Sequence, residues 1–182
     1  MLAPLGFELA NQADHDIPSP VEDGSTFIEN ALIKARAVSA ASQLPAIADD
    51  SGLVVPALDG APGIYSARYA GDGATDADNN AKLLEELAEK QDRRAHYYTS
   101  LVFLSHADDP APLIAWGEWH GEILHSPQGD GGFGYDPLFL IPHLAKSAAQ
   151  LPAQEKNLLS HRGKALTQLI AQLRQRYSFN VG

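Results

Sequence analysis

The stretch Ala46-Ile47-Ala48-Asp49-Asp50-Ser51-Gly52-Leu53-Val54-Val55 reads as strand, acidic turn and strand, because two apolar segments flank four residues that all favour turns. A helix precedes it. Thr26 followed three residues later by Glu29 has the form of a capping box, and Phe27, Ile28, Ala31, Leu32, Ala35 and Val38 fall on one helical face. That helix is expected to end near Gln43, ahead of Pro45. Upstream of it, residues 6–11 read as a short strand and residues 12–24 as a proline-containing loop. Downstream, residues 59–75 show neither helical nor strand periodicity and exceed an ordinary connection, as functional loops often do. Asp76 then caps a second helix running to about Gln91, with Leu83, Leu84 and Leu87 inward and Glu85, Glu86 and Glu89 outward.

Between residues 96 and 105 both alternating faces are apolar, Tyr97, Leu101 and Phe103 against Tyr98, Val102 and Leu104, which predicts a central strand covered on both sides. Residues 113–124 alternate Trp119, Gly121 and Ile123 with Glu118, His120 and Glu122, a half-exposed strand joined to the first as an antiparallel hairpin. A glycine-rich loop, residues 129–137, leads into a short strand at 138–141. The remainder is helical, with Leu158, Leu159, Ala165, Leu166, Leu169, Ile170 and Leu173 forming a buried stripe interrupted near residues 160–163. This order predicts an α/β fold with a mixed sheet.

A chain of 182 residues is long enough for one domain, spanning 1–182, with a substantial core. Its 45% hydrophobic and 20% charged residues are those of an ordinary globular protein. No apolar run reaches a membrane span, and Met1 to Gly6 lack the basic start of a secretory signal, so no membrane partner and a cytoplasmic address are expected. The absence of cysteine excludes disulfides, thiolate metal sites and a cysteine nucleophile. Thirteen basic against twenty-three acidic side chains give a formal charge of −10, which argues against a nucleic acid polymer as partner. A small phosphorylated substrate needs only a local cluster of cations or a metal ion.

Adjacent carboxylates after an apolar strand are costly to hold together unless a cation or donors compensate, and Mg²⁺ is the usual hard-ion partner. Asp49 and Asp50 therefore read either as a magnesium site, with one carboxylate also serving as base, or as a polar turn. Glu22, just ahead of the first helix, either complements the helix dipole or adds a metal ligand. In the glycine-rich loop, Phe133 and Tyr135 offer flat faces for a base, or plug a structural turn. Lys156, His161 and Arg162, with Lys146 upstream, either grip phosphate and ring oxygens or form a solvated helix face.

Considered together, Thr26-Phe27-Ile28-Glu29-Asn30-Ala31, Ala48-Asp49-Asp50-Ser51-Gly52-Leu53, Gly60-Ala61-Pro62-Gly63-Ile64-Tyr65-Ser66-Ala67-Arg68-Tyr69, Gly132-Phe133-Gly134-Tyr135-Asp136-Pro137 and Glu155-Lys156 with Ser160-His161-Arg162-Gly163 closely resemble the inosine triphosphate pyrophosphatase family. This family, also called Ham1 or RdgB, comprises non-standard purine triphosphatases, and the resemblance runs from about residue 6 to 173. It implies an elongated, two-lobed α/β fold around a mixed central sheet, with substrate in a cleft between the lobes, and a homodimer. The implied reaction takes a small purine nucleoside triphosphate (ITP, dITP or XTP) to the monophosphate and pyrophosphate with Mg²⁺.

By the same resemblance Asp50 matches the metal-binding carboxylate and proton acceptor, Asp49 its acidic neighbour and Glu22 a further magnesium position. Ser51 matches a substrate contact, Phe133, Gly134, Tyr135 and Asp136 the base-binding segment, and Lys156, His161 and Arg162 the later substrate contacts. Arg68 lies in a family-like segment without an assigned role. The family opens with a strand and a Thr/Ser-Gly-Asn-x-x-Lys phosphate loop, and residues 1–12 contain no such loop. The expectation is an N-terminally incomplete domain missing the first strand and phosphate loop, with Met1 internal and roughly twenty residues lost. Two other readings stay open: a pyrophosphatase for other modified bases such as methylated pyrimidines, and a non-catalytic nucleotide-binding module.

Overall fold

Thr26, in an extended conformation, accepts the Glu29 N–H through Oγ1 at 3.3 Å, while the Glu29 carboxylate reaches back to the Ser25 N–H at 2.8 Å. These bonds satisfy amides that a helix start leaves orphaned. Helix α1, Phe27–Ser42, begins there and stops at Gln43, whose left-handed backbone returns its N–H to the Ser39 carbonyl. The computed structural model describes residues 7–177.

Strand β1, Ala46–Val54, runs unbroken through Asp49-Asp50-Ser51-Gly52, where the sequence predicts a turn. The turn-forming side chains have found tertiary partners instead of local backbone. Asp50 accepts from Lys34 Nζ at 2.8 Å and Asn30 Nδ2 at 3.3 Å, and Ser51 Oγ donates to Thr99 Oγ1 at 2.7 Å. With those groups satisfied, the extended ladder wins over the turn. Residues 7–11 form no strand, contrary to expectation, and Met1 to Gly6 lie outside the described residues.

The other strands are β2 (Arg94–Leu104), β3 (Leu113–Ile123), β4 (Phe139–Ile141) and β5 (Lys146–Ser147), giving a described sheet in the consecutive order β1-β2-β3-β4-β5. It pairs β3 with β4 (Ile123 opposite Phe139) and β4 with β5 (Leu140 opposite Ser147) antiparallel. Among the described residues this five-stranded antiparallel sheet, with the helices added to it, gives the expected α/β character. Helix α2, Asp76–Glu86, is capped one residue earlier than expected, by Thr75 in a reciprocal pair with Asp78, and ends short of Gln91. The C-terminal stripe divides into α3 (Ala153–Leu159) and α4 (His161–Tyr177). Ser160 breaks them with an extended backbone, and its Oγ accepts the Gly163 N–H at 3.2 Å. Leu158, expected inward, is exposed.

The chain divides into two compact units. Among the described residues, unit 1 comprises 7–50, 100–116 and 164–177, and unit 2 comprises 51–99 and 117–163. In unit 1 the two faces of β2 feed separate cores, as the doubly apolar pattern predicts. Val102 and Leu104 meet Ala31 and Ala35 of α1, whereas Phe103 meets Ala115, Leu169 and Leu173. Unit 2 has a larger core in which Phe139, Trp119, Tyr97 and Tyr135 join Leu53, Leu83, Leu87 and Leu138. Burial of such side chains is worth about 1.5–3 kcal/mol each, so the aromatic and leucine positions dominate the unit's stability. No helix of the described residues is long and apolar enough to cross a membrane.

Candidate active site

The glycine-rich loop folds around one carboxylate. Asp136 is 2% exposed, and its oxygens accept the Phe133 N–H at 2.8 Å, the Tyr97 hydroxyl at 3.3 Å and the Lys156 ammonium. A buried charge needs such a set of donors. Gly132 (φ 76°) and Gly134 (φ 61°) supply the left-handed turns that let the chain wrap it. Tyr135 consequently points inward, 3% exposed, and donates to the Ser66 carbonyl at 2.9 Å. Phe133 stays 63% exposed, with Lys156 Nζ at 4.5 Å and Arg162 Cζ at 5.9 Å from its ring centre.

These residues border a cavity of about 650 Å³ that lies within unit 2 and is large enough for a nucleotide base and sugar. Ser51 and Leu53 of β1, Ser66 of the 59–75 loop, and Tyr97 of β2 form further wall. Tyr97 stacks on His161 with ring centres 4.9 Å apart and planes 10° from parallel. Burial, and then the Asp136 charge, push the Tyr97 hydroxyl well above its ordinary pKa, so it remains a hydrogen-bond donor. Burial likewise raises Tyr135.

Unit 1 carries a separate polar cluster. Glu22 Oε2 and Asp50 Oδ1 converge on Lys34 Nζ at 3.0 and 2.8 Å. Burial raises the Asp50 pKa; the Lys34 hydrogen bond and charge and the Asn30 amide oppose it, Glu22 adds to it, and the balance is upward. For Lys34 burial acts downward, but bonds to Asp50 and Glu22 outweigh it and hold the ammonium charged. Two carboxylates thus reach a single cationic position.

Of the residues singled out in the sequence, Ser51, Phe133, Gly134, Tyr135, Asp136, Lys156, His161 and Arg162 all line the unit 2 cavity. Glu22 and Asp50 meet at Lys34. Asp49 does not join them: in an unbroken strand consecutive side chains project to opposite faces, so Asp49 and Asp50 cannot close on one ion as a turn would allow. Lys146 and Arg68 are exposed, the latter's guanidinium lying 5.3 Å from the Tyr65 ring. Among the described residues no group of three or more His, Cys, Asp and Glu is arranged to hold a metal. Asn30, Lys34, Ser66, Asp76 and Tyr97 join these sites without a site role expected from the sequence. For Asn30 and Lys34 a signal existed: polar residues at i and i+4 beside Ala31 and Ala35 on a largely apolar helix face.

The Ham1 family profile matches residues 1–172. The dITP/XTP pyrophosphatase of Aromatoleum aromaticum is 58% identical over 173 residues, covering 95% of this chain and 87% of that protein. The dITP/XTP pyrophosphatase of Escherichia coli K12 is 51% identical, covering 96% and 89%. The structure of a HAM1 protein from Coxiella burnetii superposes with a TM-score of 0.87 at 49% identity, covering 90% of this chain and 84% of that one. By sequence and by fold, the chain belongs to the Ham1 family.

Proposed function

We propose that this protein hydrolyses non-standard purine nucleoside triphosphates, dITP, ITP and XTP, to the monophosphate and pyrophosphate, clearing deaminated bases from the nucleotide pool. The observation that carries the reading is the unit 2 cavity, in which an exposed aromatic face, two cations and a buried His-Tyr stack surround a space of base and sugar size, in a chain whose relatives bear the name dITP/XTP pyrophosphatase. In this reading Phe133 stacks on the base. Lys156 and Arg162 are donors without acceptor capacity, which favours the 6-oxo group of hypoxanthine and xanthine over the 6-amino group of adenine. A donor left unpaired by the wrong base penalises it. Asp136 works from behind, fixing Phe133 and Lys156 rather than touching the base.

Nucleoside-triphosphate pyrophosphatases generally use a divalent metal. Glu22 and Asp50 fit Mg²⁺ in one specific respect: their oxygens already share a single cationic position, and Mg²⁺ commonly takes one or two protein carboxylates with phosphate oxygens completing the shell. Bound there, the ion would neutralise charge on the triphosphate. Asp50 accepts the proton of the attacking water at its carboxylate, a task that burial favours by raising its basicity. Attack is at the α-phosphorus in line with departing pyrophosphate, and no covalent intermediate on the protein is invoked. Asp49 is left out of the ion's shell for the geometric reason given above. A homodimer and a cytoplasmic location complete the reading, on family likeness alone.

The test is release of pyrophosphate from dITP with Mg²⁺, compared with dATP, by the native chain and by Asp50→Asn. The reading expects dITP to be preferred and Asp50→Asn to bind dITP without turning it over. Full turnover by Asp50→Asn would overturn it, and binding without turnover by the native chain would favour the non-catalytic alternative.

A further inference from the structure

Helix α2 starts with a cap that needs only Thr75 and Asp78: the Asp78 carboxylate accepts the Thr75 N–H at 2.9 Å, and Thr75 Oγ1 accepts the Asp78 N–H at 3.2 Å. Asp76, between them, plays no part in this reciprocal pair. Its Oδ2 accepts the Gly134 N–H at 2.6 Å instead. One turn further on, Asn80 Nδ2 donates to the Gly134 carbonyl at 2.9 Å and to the Asp76 carbonyl at 2.8 Å. Both polar backbone groups of Gly134 are therefore gripped from α2.

The two grips act on different peptide planes. The N–H belongs to the plane shared with Phe133, and the carbonyl to the plane shared with Tyr135. Fixing both planes fixes the left-handed bend at Gly134 (φ 61°), which sends Phe133 outward and Tyr135 inward. Asn80 Oδ1 is buried and accepts no hydrogen bond among the described residues. A buried acceptor left unpaired is a cost, so the amide's placement serves its two donors.

We infer that Asp76 and Asn80 are positioning residues that clamp the glycine-rich loop at Gly134 and thereby set the aromatic face offered to the purine base. This rests on the reading of Phe133 as the base-stacking residue. Asp76 acts through Gly134 and Asn80 supports it from the next turn. A carboxylate-to-amide hydrogen bond is among the stronger kind, so its loss should weaken base binding about tenfold or more.

The experiment compares Asp76→Ala, Asp76→Asn and Asn80→Ala with the native chain by dITP steady-state kinetics, thermal melting and amide hydrogen exchange at Gly134. The clamp predicts that Asp76→Ala raises KM for dITP about tenfold with kcat within about twofold, since base positioning is uniform binding. Asp76→Asn retains an acceptor oxygen and should restore most of the KM; Asp76→Ala should lower the melting temperature by only the few degrees that one charge-assisted hydrogen bond is worth, because the Thr75–Asp78 cap is intact, and Asp76→Asn should recover most of that. Gly134 exchange should quicken in Asp76→Ala and slow again in Asp76→Asn. An unchanged KM in Asp76→Ala, or a loss of melting temperature shared equally by Asp76→Ala and Asp76→Asn, would overturn the inference. A native chain that does not hydrolyse dITP would instead sink the functional reading, and the clamp would then stand or fall on Gly134 exchange.

Discussion

Replacing Gly132 by alanine tests the loop at its tightest point. Gly132 has φ 76°, a left-handed conformation that costs a residue with a Cβ about 1–2 kcal/mol. The new methyl would also lie 2.9 Å from Asp136 Cγ and closer still to Oδ2. Asp136 cannot retreat without loosening the Phe133 N–H, the Tyr97 hydroxyl and Lys156, and hydrogen bonds to a charged group are worth about 1.5–3 kcal/mol each. Losing one such bond on top of the backbone cost gives roughly 2.5–5 kcal/mol. Gly134→Ala is the control: φ is 61°, so the backbone cost is similar, but nothing lies within 4 Å of the added Cβ. The difference between the two variants should therefore be about 1.5–3 kcal/mol, seen in chemical denaturation and, for whatever part falls on the bound state, as a KM for dITP higher by about ten- to a hundredfold. If the two variants match in both stability and KM, the claim that Asp136 organises the loop is wrong.

Phe133→Ala should raise KM for dITP by roughly five- to 150-fold with little change in melting temperature, since the ring is exposed and a base-aromatic stack is worth about 1–3 kcal/mol; steady-state kinetics and a thermal melt check both parts. Asp109 caps the β2–β3 turn by accepting the Ser105 N–H at 3.0 Å and the Ala111 N–H at 2.8 Å, and these backbone amides hold its pKa below the ordinary value. Its stabilisation is therefore complete above about pH 3.9 and is lost as pH falls through the lower folded value. Asp109→Asn should cost about 1.5–3 kcal/mol at neutral pH and flatten that acid dependence in denaturant titrations. Asp50 behaves in the opposite sense: burial raises its pKa in the metal-free protein, so its carboxyl, followed by NMR without Mg²⁺, should titrate above an ordinary carboxylate and move down when Mg²⁺ is added. Titration at or below the ordinary value, about 3.9, without Mg²⁺ would contradict that balance.

Much of the fold was legible because local chemistry and tertiary environment agree at particular residues. Thr26 and Gln43 bound α1 where the capping signal and Pro45 place its ends, and the doubly apolar pattern of β2 does separate two cores in unit 1. Where the reading failed, a distant partner had displaced a local preference. Asp49-Asp50-Ser51-Gly52 carries every mark of a turn, yet Lys34, Asn30 and Thr99 satisfy Asp50 and Ser51 and the strand continues. In that continuous strand the side chains of Asp49 and Asp50 project to opposite faces. The cavity-lining set is legible through resemblance rather than periodicity, whereas the sequence marks Asp76 only as a helix cap and gives no sign of the grip that it and Asn80 have on Gly134, more than fifty residues away. Leu158 fits the helical stripe by spacing but lies beside the Ser160 break, where α3 ends and the stripe's phase with α4 is lost.

The most direct measurement is the fate of solvent oxygen. Hydrolysis of dITP with Mg²⁺ in ¹⁸O-enriched water, followed by mass spectrometry of both products, should place one labelled oxygen in dIMP and none in pyrophosphate, because water attacks the α-phosphorus. Label in the pyrophosphate, or release of orthophosphate with dIDP, would contradict the account.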